Sequence, residues 1–109
     1  MNRLLRSWAL ALLGGTMLLG APAAAADLVI KDHVFTPTEI KVPAGKIVEL
    51  IVDNQDVTPE EFESPALKVE KVIPGKSTGK VRFGPLAAGS YLFIGEFNQK
   101  TARGVVTAE

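Results

Sequence analysis

From residue 27 onward the apolar residues recur every second position, and no segment carries a sustained stripe at helical spacing. The pattern is strongest in "KIVELIVD" (46–53), which places Val48, Leu50 and Val52 on one face. Short β-branched stretches precede it, "DLVIK" (27–31) and "EIKV" (39–42), and "EFES" (61–64), "VEKVI" (69–73) and "GKVRF" (79–83) follow. "SYLFIGEF" (90–97) sets Tyr91, Phe93 and Phe97 on one face, and "GVVTA" (104–108) closes the chain. Turns fall where Pro and Gly supply the backbone geometry, in "VPAGK" (42–46) and "IPGK" (73–76). One segment competes, "ESPALKVEK" (63–71), which could form a single helical turn before its strand. Short strands at this spacing predict an all-β fold, an antiparallel Greek-key β-sandwich or barrel of about seven or eight strands.

The first 26 residues follow a different pattern. Arg3 and Arg6 precede the apolar run 8–19, and Ala24-Ala25-Ala26 follows Pro22. A short basic segment, an apolar stretch and an Ala-x-Ala ending predict a secretory signal peptide over 1–26, cleaved before Asp27. The run is shorter than the roughly 20 residues that span a bilayer, which favours a cleaved signal over the alternative, an uncleaved N-terminal anchor, and no stable membrane insertion of the mature chain is expected. The exported domain is then 27–109, 83 residues, in the periplasm. That length holds one small domain, without internal repeat or linker. Losing Arg3 and Arg6 leaves ten basic against twelve acidic residues, a net charge of −2 that gives no reason to expect a nucleic-acid partner. The chain has no Cys, so the domain depends on packing alone.

Three pieces in order carry a resemblance: "FTPTEIKVPAGK" (35–46), a strand ending in "VDNQD" (52–56), and "GPLAAGSYLFIGEF" (84–97). Over 27–109 the chain resembles the cupredoxin superfamily, in which a Gly-x-Tyr-x-Phe-x-Cys strand delivers the copper thiolate. Gly89, Tyr91 and Phe93 match that strand, and Gly95 stands at the Cys position. More narrowly, "TPEEFES" (58–64), "EKVIPG" (70–75), "GEF" and "TARG" resemble periplasmic cupredoxin-like proteins associated with bacterial high-affinity iron permeases. The resemblance implies handling of iron, less readily copper, before transport. An inner-membrane iron permease, or another periplasmic component of an iron-uptake system, is the implied partner. A His after Gly-Glu-Phe is also implied, but Asn98 stands there.

A type 1 blue copper site needs a Cys thiolate with two His and a weak axial ligand, usually Met. The only His is His33, and both Met precede residue 27, so that chemistry is excluded by ligand supply. Carboxylates remain: Asp53, Asp56, Glu60, Glu61 and Glu63 crowd one strand-loop-strand segment. In the resembled fold the first His ligand lies two positions before a core residue. If Phe62 is that core residue, Glu60 takes the ligand position and points inward, while Glu61 and Glu63 share the opposite face. Glu96 is expected near the same end, and His33 is a further candidate nitrogen donor. Carboxylate oxygens suit hard cations, Fe(II), Fe(III) and Mn(II), better than Cu(I). The same acids also read as a solvated loop with Lys68 and Lys71 nearby, and His33 as a surface residue.

No nucleophile triad fits one His, no Cys and no Gly-x-Ser-x-Gly, and "PGKSTGK" (74–80) lacks P-loop spacing. Iron oxidation is implied by resemblance alone, since no residue identifies a redox centre. Two functions are expected: a metal-handling domain for membrane iron uptake, or a metal-free cupredoxin-fold interaction module that docks on a membrane or periplasmic partner.

Overall fold

Alternation becomes pleat in the computed structural model, which describes residues 24–109. The strands are β1 (Ala24–Lys31), β2 (Val34–Thr36), β3 (Glu39–Val42), β4 (Val48–Asn54), β5 (Glu60–Ser64), β6 (Val69–Ile73), β7 (Ser77–Phe83), β8 (Gly89–Gly95) and β9 (Arg103–Ala108). A five-stranded sheet runs β3-β9-β8-β5-β6, and a four-stranded sheet runs β2-β1-β4-β7. Most pairs are antiparallel, but β9 pairs with β3 and β1 with β4 in parallel, so both sheets are mixed. The expected signal segment lies outside the described residues, except that Ala24–Ala26 extend β1. Among the described residues, no helix is long and apolar enough to cross a membrane.

The inward residues of both sheets meet in one core. Val48, Leu50 and Val52 are buried, as their shared parity requires, against Leu28, Ile30 and Val81. Phe35, Phe62 and Phe93 form its aromatic centre, with Phe62 and Phe93 stacked at 5.0 Å and Phe35 edge-on to Phe93 at 5.2 Å. The segment 63–71 does not form a helix. A turn at 65–68 joins β5 to β6, with Lys68 N–H donating to the Pro65 carbonyl.

At one end of the sandwich, buried Asn54 organises the β4–β5 loop. Its amide donates to the carbonyls of Thr58, Ile73 and Pro74, and its Oδ1 accepts from Asp56 N–H. Both the N–H and the oxygen of the buried Asn54 side chain are thus answered. The loop then enters β5 with Glu60 facing the interior.

Candidate functional site

Three groups emerge from the residues singled out in the sequence, and the fold does not bring all of them together. The first lies inside. Glu60 is 1% exposed, and its carboxylate enters the end of the sandwich beside Gly95. Oε1 accepts from the N–H of Phe97 at 2.9 Å and of Glu61 at 3.0 Å, and Oε2 accepts from the Asn98 amide at 2.7 Å. These bonds tie β5 to the 3-10 turn Glu96–Asn98 that follows β8. Gly95 contributes space: a Cβ there would stand 2.7 Å from Glu60 Cδ and 2.6 Å from Ala102 Cβ. The Glu60 carboxylate thus fills the room that a ligand side chain from residue 95 would need. Asn98 turns its amide N–H toward Glu60, and a neutral amide offers a metal only its oxygen. A type 1 copper ion does not fit these residues.

The strand expected to run through Phe97 stops at Gly95. Phe97 therefore leaves the face shared by Tyr91 and Phe93, and its ring is half exposed. The turn is closed by Gly95 N–H to the Ala102 carbonyl and Ala102 N–H to the Asn98 carbonyl, both at 2.8 Å.

The second group lies on the outside of the same sheet. Because Glu60, Phe62 and Ser64 face inward, Glu61 and Glu63 face out. The β5–β6 register sets Glu63 opposite Glu70, and oxygens of Glu61, Glu63 and Glu70 all lie within 4.8 Å of one another. Glu96 joins here rather than at Glu60, hydrogen-bonding the Glu63 carboxyl. That bond, with partial desolvation and the charges of Glu96, Glu70 and Glu61, pushes the Glu63 carboxyl up to about 7. Glu61 is also pushed up, by desolvation first and then by Glu70. Directly opposed like charges destabilise a strand pair unless a proton or a cation intervenes. Sequence reading missed Glu70. The signal for it was the turn in "ESPALK", since a hairpin closed there pairs 63 with 70.

The third group is His33, which joins neither cluster of acids. Asp32 and His33 are the two turn residues of the β1–β2 hairpin, with φ of 53° and 61°. Such a turn demands left-handed backbone that Asn-Gly adopts more easily. Asp56 compensates by accepting both N–H groups, at 2.7 and 3.0 Å, and its carboxylate also lies 3.4 Å from His33 Nδ1. The His33 backbone N–H and, more weakly, that of Asp32 hold the Asp56 carboxyl below its ordinary value, against partial desolvation. The imidazole is exposed and lines a shallow depression with Phe97, Asn98 and Thr101.

A pH dependence follows from Glu63. Its folded value lies above the unfolded one, so the folded chain keeps a proton that the unfolded chain has released. Stability should therefore fall as pH rises from about 4.5 to about 7 and level off above. Glu63→Gln should lose that fall, melting higher than the wild type at pH 8 and close to it at pH 4. Parallel melting curves at both pH values check this. Equal melting temperatures at pH 8 would mean that the like charges are relieved in solution.

Comparison with known proteins agrees with this architecture. The family model for the cupredoxin-like domain matches residues 5–108, and the chain belongs to that family. An uncharacterized protein of Rickettsia prowazekii is 39% identical over 79 residues, covering 72% of this chain. The chain spans 63% of the length of that relative. Among solved structures, auracyanin B superposes with a TM-score of 0.70 at 19% identity, covering 82% of this chain and 91% of its own. Auracyanin A, a "blue" copper protein of Chloroflexus aurantiacus, gives 0.66 at 18% identity, covering 78% of this chain and 98% of its own. The metal-binding domain of a Streptococcus pneumoniae Cu(I)-exporting P-type ATPase, solved with Cu(I), gives 0.66 at 16% identity, covering 78% and 84%. At these identities the structures establish the fold.

Proposed function

We propose that the exported domain is a metal-handling cupredoxin-like protein of the periplasm that takes a divalent cation at its outer carboxylates. The observation that carries this reading is the approach of Glu61, Glu63 and Glu70 oxygens within 4.8 Å, with Glu96 beside them. Four carboxylates without sulfur or imidazole favour a hard cation, Fe(II) or Mn(II), over Cu(I). The solved copper proteins of similar fold keep copper as the second choice. Service to a membrane iron permease is the cellular role we attach to this, on the resemblance of "TPEEFES" and "EKVIPG" to iron-uptake components. His33 and Glu60 are outside this ligand set.

Titration calorimetry with Fe(II) under anaerobic conditions, Mn(II) and Cu(II) tests the reading. The triple variant Glu61→Gln/Glu63→Gln/Glu70→Gln should bind at least about tenfold more weakly, roughly 1.4 kcal/mol. Binding requires deprotonated carboxylates, so affinity should begin to fall below about pH 7, where Glu63 takes up its proton. That is well above the pH of about 4 expected for unperturbed carboxylates. Identical isotherms for both proteins would remove the cluster from metal chemistry.

A second reading, the metal-free interaction module, draws on the interior. There the Glu60–Asn98 bond and the closed space at Gly95 occupy the place of a buried ion. No heat and no bound metal by elemental analysis, for a folded protein, would favour it over the metal-handling reading.

A further inference from the structure

The outer face of the five-stranded sheet also carries an apolar strip whose two flanks differ in charge. On β8, Phe93 is buried, so Leu92 and Ile94 point outward, and Leu92 is 63% exposed. On one side β9 sets Val105 opposite Leu92 and Arg103 opposite Ile94. On the other side β5 sets Glu63 opposite Ile94, with Glu70 beyond it. A cation and a pair of acids therefore stand at the same level on either side of the strip.

The next level repeats the arrangement with the signs reversed. Glu39 pairs with Val105 and accepts from the Thr107 hydroxyl at 2.8 Å, which places it on this face. Across the strip, Lys68 is exposed in the β5–β6 turn, at the end where Ser64 Oγ donates to the Leu92 carbonyl.

Two such sheets laid face to face about a twofold axis along β8 exchange flanks and keep levels. Arg103 of each copy then meets Glu63 and Glu70 of the other, and Glu39 meets Lys68. Leu92 and Ile94, on the axis, close on their counterparts, while Val105, on the Arg103 flank, faces the opposite flank of the other copy. The contact is isologous, so it closes at two copies. We propose that this face is the interface of a homodimer, with Arg103 of the second copy answering the acids of the first. The apolar strip is small, so the dimer is a weak one that forms at high local concentration.

Sedimentation velocity of the exported protein, in chelator and from about 10 µM to about 1 mM, tests the proposal. The expected result is a sedimentation coefficient that climbs from monomer toward dimer across the series. Leu92→Asp should leave only monomer, and Arg103→Glu should weaken the dimer about tenfold or more. Combining Arg103→Glu with Glu63→Lys and Glu70→Lys should restore it. Circular dichroism melts confirm that each variant is folded. A wild type that stays monomeric throughout would overturn the proposal. A dimer indifferent to Leu92→Asp or Arg103→Glu, or not restored by the charge exchange, would do the same. Chelator in every sample separates this result from cation uptake, which calorimetry reads independently.

Discussion

Glu60→Ala is expected to lower the stability of the domain by about 3–4 kcal/mol, a fall of roughly 15–25 °C in melting temperature. The residue is buried, and its carboxylate answers the N–H groups of Phe97 and Glu61 and the Asn98 amide. Removing it strands those donors and opens a cavity at the end of the sandwich. A bound ion would tie a ligand loop to the sheet from within; here a carboxylate does so with three neutral donors. Glu60→Gln keeps one acceptor oxygen and the side-chain volume, and should fall between wild type and Glu60→Ala. The exposed Glu109→Ala serves as control, within about 0.5 kcal/mol of wild type. Chemical denaturation measures all three. A loss below about 1 kcal/mol for Glu60→Ala would mean that the turn holds its place without the carboxylate.

Gly95→Ala should cost about 2–3 kcal/mol, for the complementary reason. The backbone at residue 95, φ −92° and ψ 108°, suits any residue, so the penalty is steric. The new methyl would meet Glu60 Cδ at 2.7 Å and Ala102 Cβ at 2.6 Å, both pinned by their own packing and hydrogen bonds. Glu60 and Gly95 compete for one volume, so their effects must couple. In the Glu60→Ala background the cost of Gly95→Ala should drop by at least about 1 kcal/mol. Additive losses would show that the two side chains relax independently. A Cys at position 95 meets the same obstruction, so Glu60 leaves no room there for a thiolate.

Much of the fold was legible because strand parity is a local property. Period-two alternation alone puts Val48, Leu50 and Val52 inside, and buried Phe62 carries Glu60 in with it two positions away. The same parity turns Glu61 and Glu63 outward. The lack of Cys, and of any His but His33, excludes blue copper from ligand supply alone. Parity does not say where a strand stops, and Phe97 illustrates the consequence. Alternation extends the β8 pattern through it, yet the backbone turns at Gly95 because Glu60 captures the Phe97 N–H.

Register was the other decision left to the tertiary structure. Glu70 is seven residues from Glu63 in the chain, and only the 65–68 turn makes them cross-strand neighbours. Glu96 could have turned toward Glu60 or toward Glu63; the 3-10 turn sends it to Glu63. His33 is held beside Asp56 instead, which accepts the N–H groups of both left-handed residues in the β1–β2 turn. Local sequence determined which side chains are apolar, which face each takes, and which ligand chemistries are ruled out. Which carboxylates share a site, and which one fills the interior, depended on hydrogen bonds between segments far apart in the chain.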